Sequence, residues 1–117
     1  MRGQAQVPRA DRFLTDGKIL YSEIDKLHWH AGSVKNLSSS GLLFEGKYRA
    51  PIGAAVEMTF EAPRAVFGGA EQDATEQVYC TGVIVRTEAS SEPRELAAQM
   101  GTRITSWHRL PTGQPFR

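Results

Sequence analysis

The chain has a single cysteine, Cys80, in 117 residues. A lone thiol cannot close an intramolecular disulfide, so a disulfide-framed scaffold is excluded and a reducing compartment is expected. Charge of one sign is also missing: 14 Lys and Arg face 13 Asp and Glu, a formal net charge of +1. The molecule as a whole is therefore no polyanion binder, and any basic site must be local. Aromatic residues make up 9% of the chain and do not cluster, which argues against the stacking groove of a small barrel that holds single-stranded nucleic acid. No apolar run approaches a membrane span and no signal-peptide pattern opens the chain, so a soluble cytoplasmic protein is expected. Repeats, low-complexity tracts and a long amphipathic helix are absent from the pattern. So are the nucleophile elbow, the P-loop and the zinc-protease helix. Ser, His and Asp are scattered without a spacing signal, and no enzymatic activity is expected.

What is present is a series of short β patterns in one domain. Met1 to Asp16 is polar, without sustained periodicity, and carries Arg9 and Arg12; it reads as an arm. Gly17 to Ile24 reads as a first strand, and Asp25 to His30 as a turn or irregular edge. Ser33 to Leu37 and Leu42 to Glu45 follow as strands. Arg49 to Gly53 is a turn by its Pro51 and Gly53. Val56, Met58 and Phe60 alternate with Glu57, Thr59 and Glu61, the period-two mark of a half-buried strand whose carboxylates solvate the outer face. Pro63 to Glu76 reads as a long connection. Val78 to Thr87 is rich in β-branched residues and reads as a strand. Ser90 to Pro93 is a hairpin-like loop, Leu96 to Trp107 holds a last strand clearest at Thr102 to Ser106, and Pro111 to Arg117 is a tail. Short strands separated by turn signals favour an antiparallel barrel or sandwich.

The most informative stretch runs from Val34 to Phe44: a strand, a tight polar turn and a second strand. Asn36, Ser38 and Gly41 fall at the spacing N-x-S-x-x-G. Asn and Ser side chains fold back onto nearby backbone and Gly relieves steric limits, so together they build a fixed turn. The same residues offer an amide, a hydroxyl and open backbone to a polar planar ligand. Taken alone, the pattern is also that of an ordinary β-turn.

The stretch resembles the [D/N]-x-S-x-x-G motif of PilZ domains, bacterial receptors for cyclic di-GMP. The likeness runs from Pro8 to Leu110: arginines Arg9 and Arg12 precede the motif, and Val83-Ile84-Val85-Arg86 is similar to the family's apolar strand ending in Arg. It implies an all-β fold, a six-stranded antiparallel PilZ-like β-barrel over residues 17–110, with a flexible N-terminal arm at 1–16 and a tail at 111–117. The family's C-terminal helix has little material after Trp107 to form it. The resemblance implies that arm arginines in R-x-x-x-R grip the dinucleotide while the Asn, Ser and Gly of the second motif hold a guanine and a nearby phosphate. It carries the ligand role to Arg9, Arg12, Asn36, Ser38 and Gly41, with Ser39, Ser40 and Arg86 as auxiliaries. An Arg fork matches guanine O6 and N7, and its plane stacks on a base.

The first motif departs from the family pattern. Arg12 fits the second arginine, but Pro8 stands where the first belongs. Arg9 lies three residues before Arg12, and in an extended arm such positions face opposite sides. It replaces the missing arginine only if the arm kinks. The alternative reading is a nucleotide-independent PilZ-like adaptor, acting through protein contacts at Trp29, Trp107, Phe67 and the Gly68-Gly69 loop. In either case the family implies a protein partner in signalling, motility or polysaccharide secretion. For Arg9 and Arg12 the alternative is a solvated tail, and for Arg86 a surface ion pair. His28 and His30 share one strand face, but a closed zinc site wants four ligands and no third is near. No metal and no cofactor are expected. Cys80 reads as a core thiol, and Trp29 as a partner-contact residue at the barrel edge.

Overall fold

Alternation in the chain is converted directly into strand faces. The computed structural model describes residues 13–14, 17–68, 75–89 and 98–109, the first pair by backbone alone. The elements are β1 (Phe13–Leu14), β2 (Lys18–Glu23), β3 (His30–Leu37), β4 (Gly41–Gly46), β5 (Ala55–Pro63), a 3-10 helix (Arg64–Phe67), β6 (Thr75–Ala89) and β7 (Ala98–Arg109). In β5, Val56, Met58, Phe60 and Ala62 are buried while Glu57 and Glu61 reach the outer face. Every strand pairing is antiparallel.

The sheet order is β1-β3-β2-β5-β6-β7-β4, and β3 also pairs with β4. That last pairing closes six strands, β2 to β7, into a barrel, and β1 is an addition to it. Closure removes the open edges that would otherwise invite mispairing. The inside is filled by Tyr21, Val34, Leu37, Phe44, Val56, Met58, Phe60, Val78, Cys80, Ile84 and Met100. Tyr21 is the largest of these, and its hydroxyl donates to the Tyr48 carbonyl at 2.7 Å. Gly46 gives that ring its space, since an added Cβ there would run into the Tyr21 phenol.

Three details differ from the sequence expectation. The arm contributes a strand at Phe13–Leu14, because β2 stops pairing with β3 at Lys18↔Ser33 and leaves the end of β3 with an open edge. Phe13↔Leu37 and Leu14↔Asn36 fill it. The connection expected from Pro63 to Glu76 is shorter, since β5 runs on to Pro63 and β6 starts at Thr75 with Pro63↔Thr75 paired. Proline ends the strand, the place where its missing N–H costs least. Finally, β3 begins at His30 and β7 covers Ala98–Arg109, both longer than their propensities predict. Pairing with neighbours on each side extends them. The loop at Ser90–Pro93, Gly69 and the tail at 111–117 lie outside the described residues.

Of the three register shifts in the wall formed by β3, β4, β7 and β6, two lie beside the motif. Register shifts between Val34 and Asn36 on β3, and between Ile84 and Arg86 on β6. A bulge turns two consecutive side chains to one face. Val34 and Leu37 therefore both point inward, and Lys35 and Asn36 lie between them on the outside. On β6, Ile84 is buried while Val85 and Arg86 are exposed.

Candidate ligand-binding cleft

The motif spans the turn Ser38–Ser40 between β3 and β4. The Ser38 N–H donates to the Gly41 carbonyl at 2.9 Å. Ser38 Oγ in turn accepts the N–H groups of Gly41 at 3.1 Å and Ser40 at 3.3 Å. The turn thus gathers two amides onto one hydroxyl, the local competition for backbone bonds that suits Ser to such positions. With both lone pairs taken, the Ser38 hydroxyl has its proton to give. It donates that proton to Gly41 O in a long bond of 3.4 Å, with Ser40 Oγ at the same distance. The loop carbonyls face β7: Ile104 N–H donates to Ser40 O at 2.9 Å, and Trp107 Nε1–H to Ser39 O at 2.8 Å.

Beside the turn lies a cleft of about 440 Å³, lined by Asn36, Ser38, Gly41, Leu43, Arg86 and Gly101 among others. Its floor is a single register row. Asn36 pairs with Leu43, Leu43 with Gly101, and Gly101 with Arg86. Cross-strand partners share a face, so these four residues stand in line across the outer wall. The row on the core side of it, Leu37, Leu42, Thr102 and Ile84, is buried.

The two ends of the row are polar and unengaged. Neither the Asn36 carboxamide nor the Arg86 guanidinium has a hydrogen bond or ion pair among the described residues. Both bulges fall at these positions and aim the two side chains at the cleft. Leu43 supplies an apolar surface between them. Gly101 has no side chain, and Arg86 passes over it: an added Cβ would sit 3.5 Å from Arg86 Cβ and Nε. Arg103, in register with Gly41, adds a second exposed cation to this wall. The nearby Lys35 is tied to Glu45 at 3.7 Å. The field over the cleft is therefore cationic although the net charge of the chain is close to zero.

Of the expected site residues, Asn36, Ser38, Ser40, Gly41 and Arg86 all border this one cleft. Ser39 takes part through its carbonyl on the β7 side, held by Trp107. Arg9 and Arg12 lie outside the described residues. Phe13, next after Arg12 in the chain, pairs with Leu37, one residue before Ser38. Leu43, Gly101, Arg103 and Trp107 are members of this region that the sequence reading did not assign to it. A glycine inside a strand pattern, as at Gly101, is the one local signal that pointed there.

The surface considered for the adaptor reading is divided. Trp107 packs on Phe60 and Phe67, with ring centroids 6.1 and 5.1 Å apart, at the motif end of the barrel. Trp29 belongs to the β2–β3 connection at the opposite end, where His30 stacks on Tyr48 at 4.3 Å. Among the described residues no group of His, Cys, Asp and Glu could hold a metal ion. Nor is any described helix long and apolar enough to cross a membrane.

The PilZ domain family model matches residues 6–109. Among solved structures, the chain is similar to the Bacillus subtilis inhibitor of motility MotI/DgrA, with a TM-score of 0.61 and 14% identity. The likeness covers 86% of this chain and 44% of that one, so the chain spans less than half of that relative's length. At such identity the agreement is one of fold. No curated protein matches the chain significantly. The family match begins in the arm and runs through β7, taking in the motif turn and all six strands of the closed barrel, and the chain belongs to the PilZ domain family.

Proposed function

We propose that this chain is a bacterial cyclic di-GMP receptor that signals by ordering its arginine arm on the bound dinucleotide. The observation that carries the reading is the row Asn36–Leu43–Gly101–Arg86 beneath the Ser38–Gly41 turn. Arg86 offers a planar fork for guanine O6 and N7 or for a phosphate. Asn36 offers a donor and an acceptor to a base edge. Leu43 gives an apolar floor for the base face, beside the Arg86 side chain that lies over Gly101. The Ser38 proton suits a phosphate oxygen. The cleft volume falls in the range of about 300–1,000 Å³ that holds small ligands.

The arm, residues 1–16, completes the site in this reading. Arg12 precedes a residue that pairs beside the motif, so one residue of chain separates it from the rim. Arg12 closes over the ligand, with Arg9 as its helper, and the fixed arm presents a new surface to a protein partner, an order–disorder switch. Thermal melting with and without cyclic di-GMP tests the reading. Ligand at a hundred times its dissociation constant stabilises the native state by about 2.7 kcal/mol. No upward shift at millimolar dinucleotide defeats it.

Pro8, in the place of the first motif arginine, favours a second reading: a nucleotide-independent adaptor acting through protein contacts. The solved relative's description as an inhibitor of motility directs the partner search to motility proteins. Pull-down of the same partner with and without dinucleotide separates the readings, since the adaptor binds equally in both.

A further inference from the structure

The motif turn is anchored from outside itself, by a residue 68 positions away in the chain. Trp107 stands near the end of β7, opposite Cys80, with its ring against Phe60 and Phe67. Its indole N–H reaches Ser39 O at 2.8 Å. Tryptophan combines a large apolar body with a single donor at a fixed place on its rim. The body is wedged between the core and the 3-10 helix, so the donor has a fixed position too. Behind it, Arg109 lies over the Phe67 ring at 4.7 Å and pairs with Glu76, closing the corner.

We propose that Trp107 is the positioning residue of the ligand site. By holding Ser39 O toward β7 it fixes the rotation of the Ser39–Ser40 peptide plane. That rotation turns the Ser40 N–H to Ser38 Oγ on the opposite side. The Ser38 hydroxyl, occupied as acceptor, then has only its proton to offer, held in a long bond to Gly41 O at 3.4 Å that a ligand oxygen can replace. Ile104 N–H fixes the following plane through Ser40 O. Without the indole bond, one of the two loop planes is released and Ser38 loses its defined donor direction. The role rests on the cleft being the cyclic di-GMP site proposed above.

The test replaces Trp107 by its sulfur isostere, benzothienylalanine, which keeps the ring shape and removes the N–H. Cyclic di-GMP affinity is read by calorimetry, folding by the melting temperature, and the turn by amide exchange at Ser40 and Gly41. The expected result is an affinity about five- to tenfold weaker, the worth of one hydrogen bond, with the melting temperature kept and both amides exchanging faster. Unchanged affinity and exchange overturn the proposal. A fall in melting temperature that matches the loss of affinity also overturns it, because the indole would then serve folding alone. If the parent protein binds no dinucleotide, the receptor reading fails separately. The exchange rates then decide the role of Trp107 by themselves: faster supports it and unchanged overturns it.

Discussion

Arg86 crosses the face of Gly101, with its Nε 3.5 Å from where a Cβ on that residue would lie. That distance is ordinary van der Waals contact, so Gly101→Ala fits beneath the guanidinium and lifts it only slightly. A leucine at the same place projects into the cleft, because Gly101 belongs to the outward row with Leu43 and Arg86. Gly101→Ala is expected to fold and bind cyclic di-GMP with a modest loss. Gly101→Leu is expected to fold and not bind. Calorimetry beside thermal melting checks both, and full affinity in the leucine variant would rule out this row as the floor of the site.

Arg86 itself gives the sharper comparison. Lysine retains the charge and loses the planar fork. If the fork meets a guanine edge or a phosphate, Arg86→Ala weakens binding by about 1.5–3 kcal/mol, and Arg86→Lys recovers only a part of that. Recovery to parent affinity by lysine would reduce the role to charge alone. Parent affinity in the alanine variant would return Arg86 to the surface.

Ser38→Ala removes an acceptor of two amides and a hydroxyl donor at the rim of the cleft. It is expected to lower both the melting temperature and the affinity, the latter by about 1.5–3 kcal/mol for a bond to a charged group. Arg12→Ala is expected to weaken binding by about the same amount through loss of an arm contact. Equal affinity of both variants and the parent in a calorimetric titration would refute these roles.

The turn was legible because its chemistry is local. Asn36, Ser38 and Gly41 act on backbone within a few residues, and their spacing alone describes the geometry they make. The inward face of β5 was legible for a similar reason, since Val56, Met58 and Phe60 alternate cleanly. The β3 bulge was written in the chain but not read: Val34 and Leu37 are apolar with two polar residues between them, which breaks a period of two. The place of Arg86 was implied by the family resemblance and not by its neighbours in the chain, because it depends on β6 and β7 pairing at one register, and no short-range signal sets that register. Trp107 was hidden more deeply. Its donor is spent on a carbonyl 68 residues away, and that contact exists only once the barrel has closed. Phe13–Leu14 became a strand through a gap that β2 leaves on β3, which is a property of the partner strand rather than of the arm.

The interior also fixes how the fold answers to alkali. Burial pushes the Tyr21 phenol from 10.0 up to about 12, and the Cys80 thiol from 9.0 up to about 12. Both groups are neutral when protonated, so the native state disfavours their ionised forms. In the unfolded chain each loses its proton at its ordinary value. Below pH 9.0 both states hold the protons and nothing is lost; above it the unfolded state is progressively favoured until pH reaches about 12. Stability is therefore expected to fall across that window, read as a declining urea midpoint. Tyr21→Phe removes one ionising group and should flatten the upper part of the decline. It also leaves the Tyr48 carbonyl without its partner, at a cost of about 1 kcal/mol visible at neutral pH. Lower neutral stability together with a shallower alkaline slope is the combination that identifies the buried phenol. A variant with the parent slope would show that Tyr21 ionises as freely inside the barrel as in water.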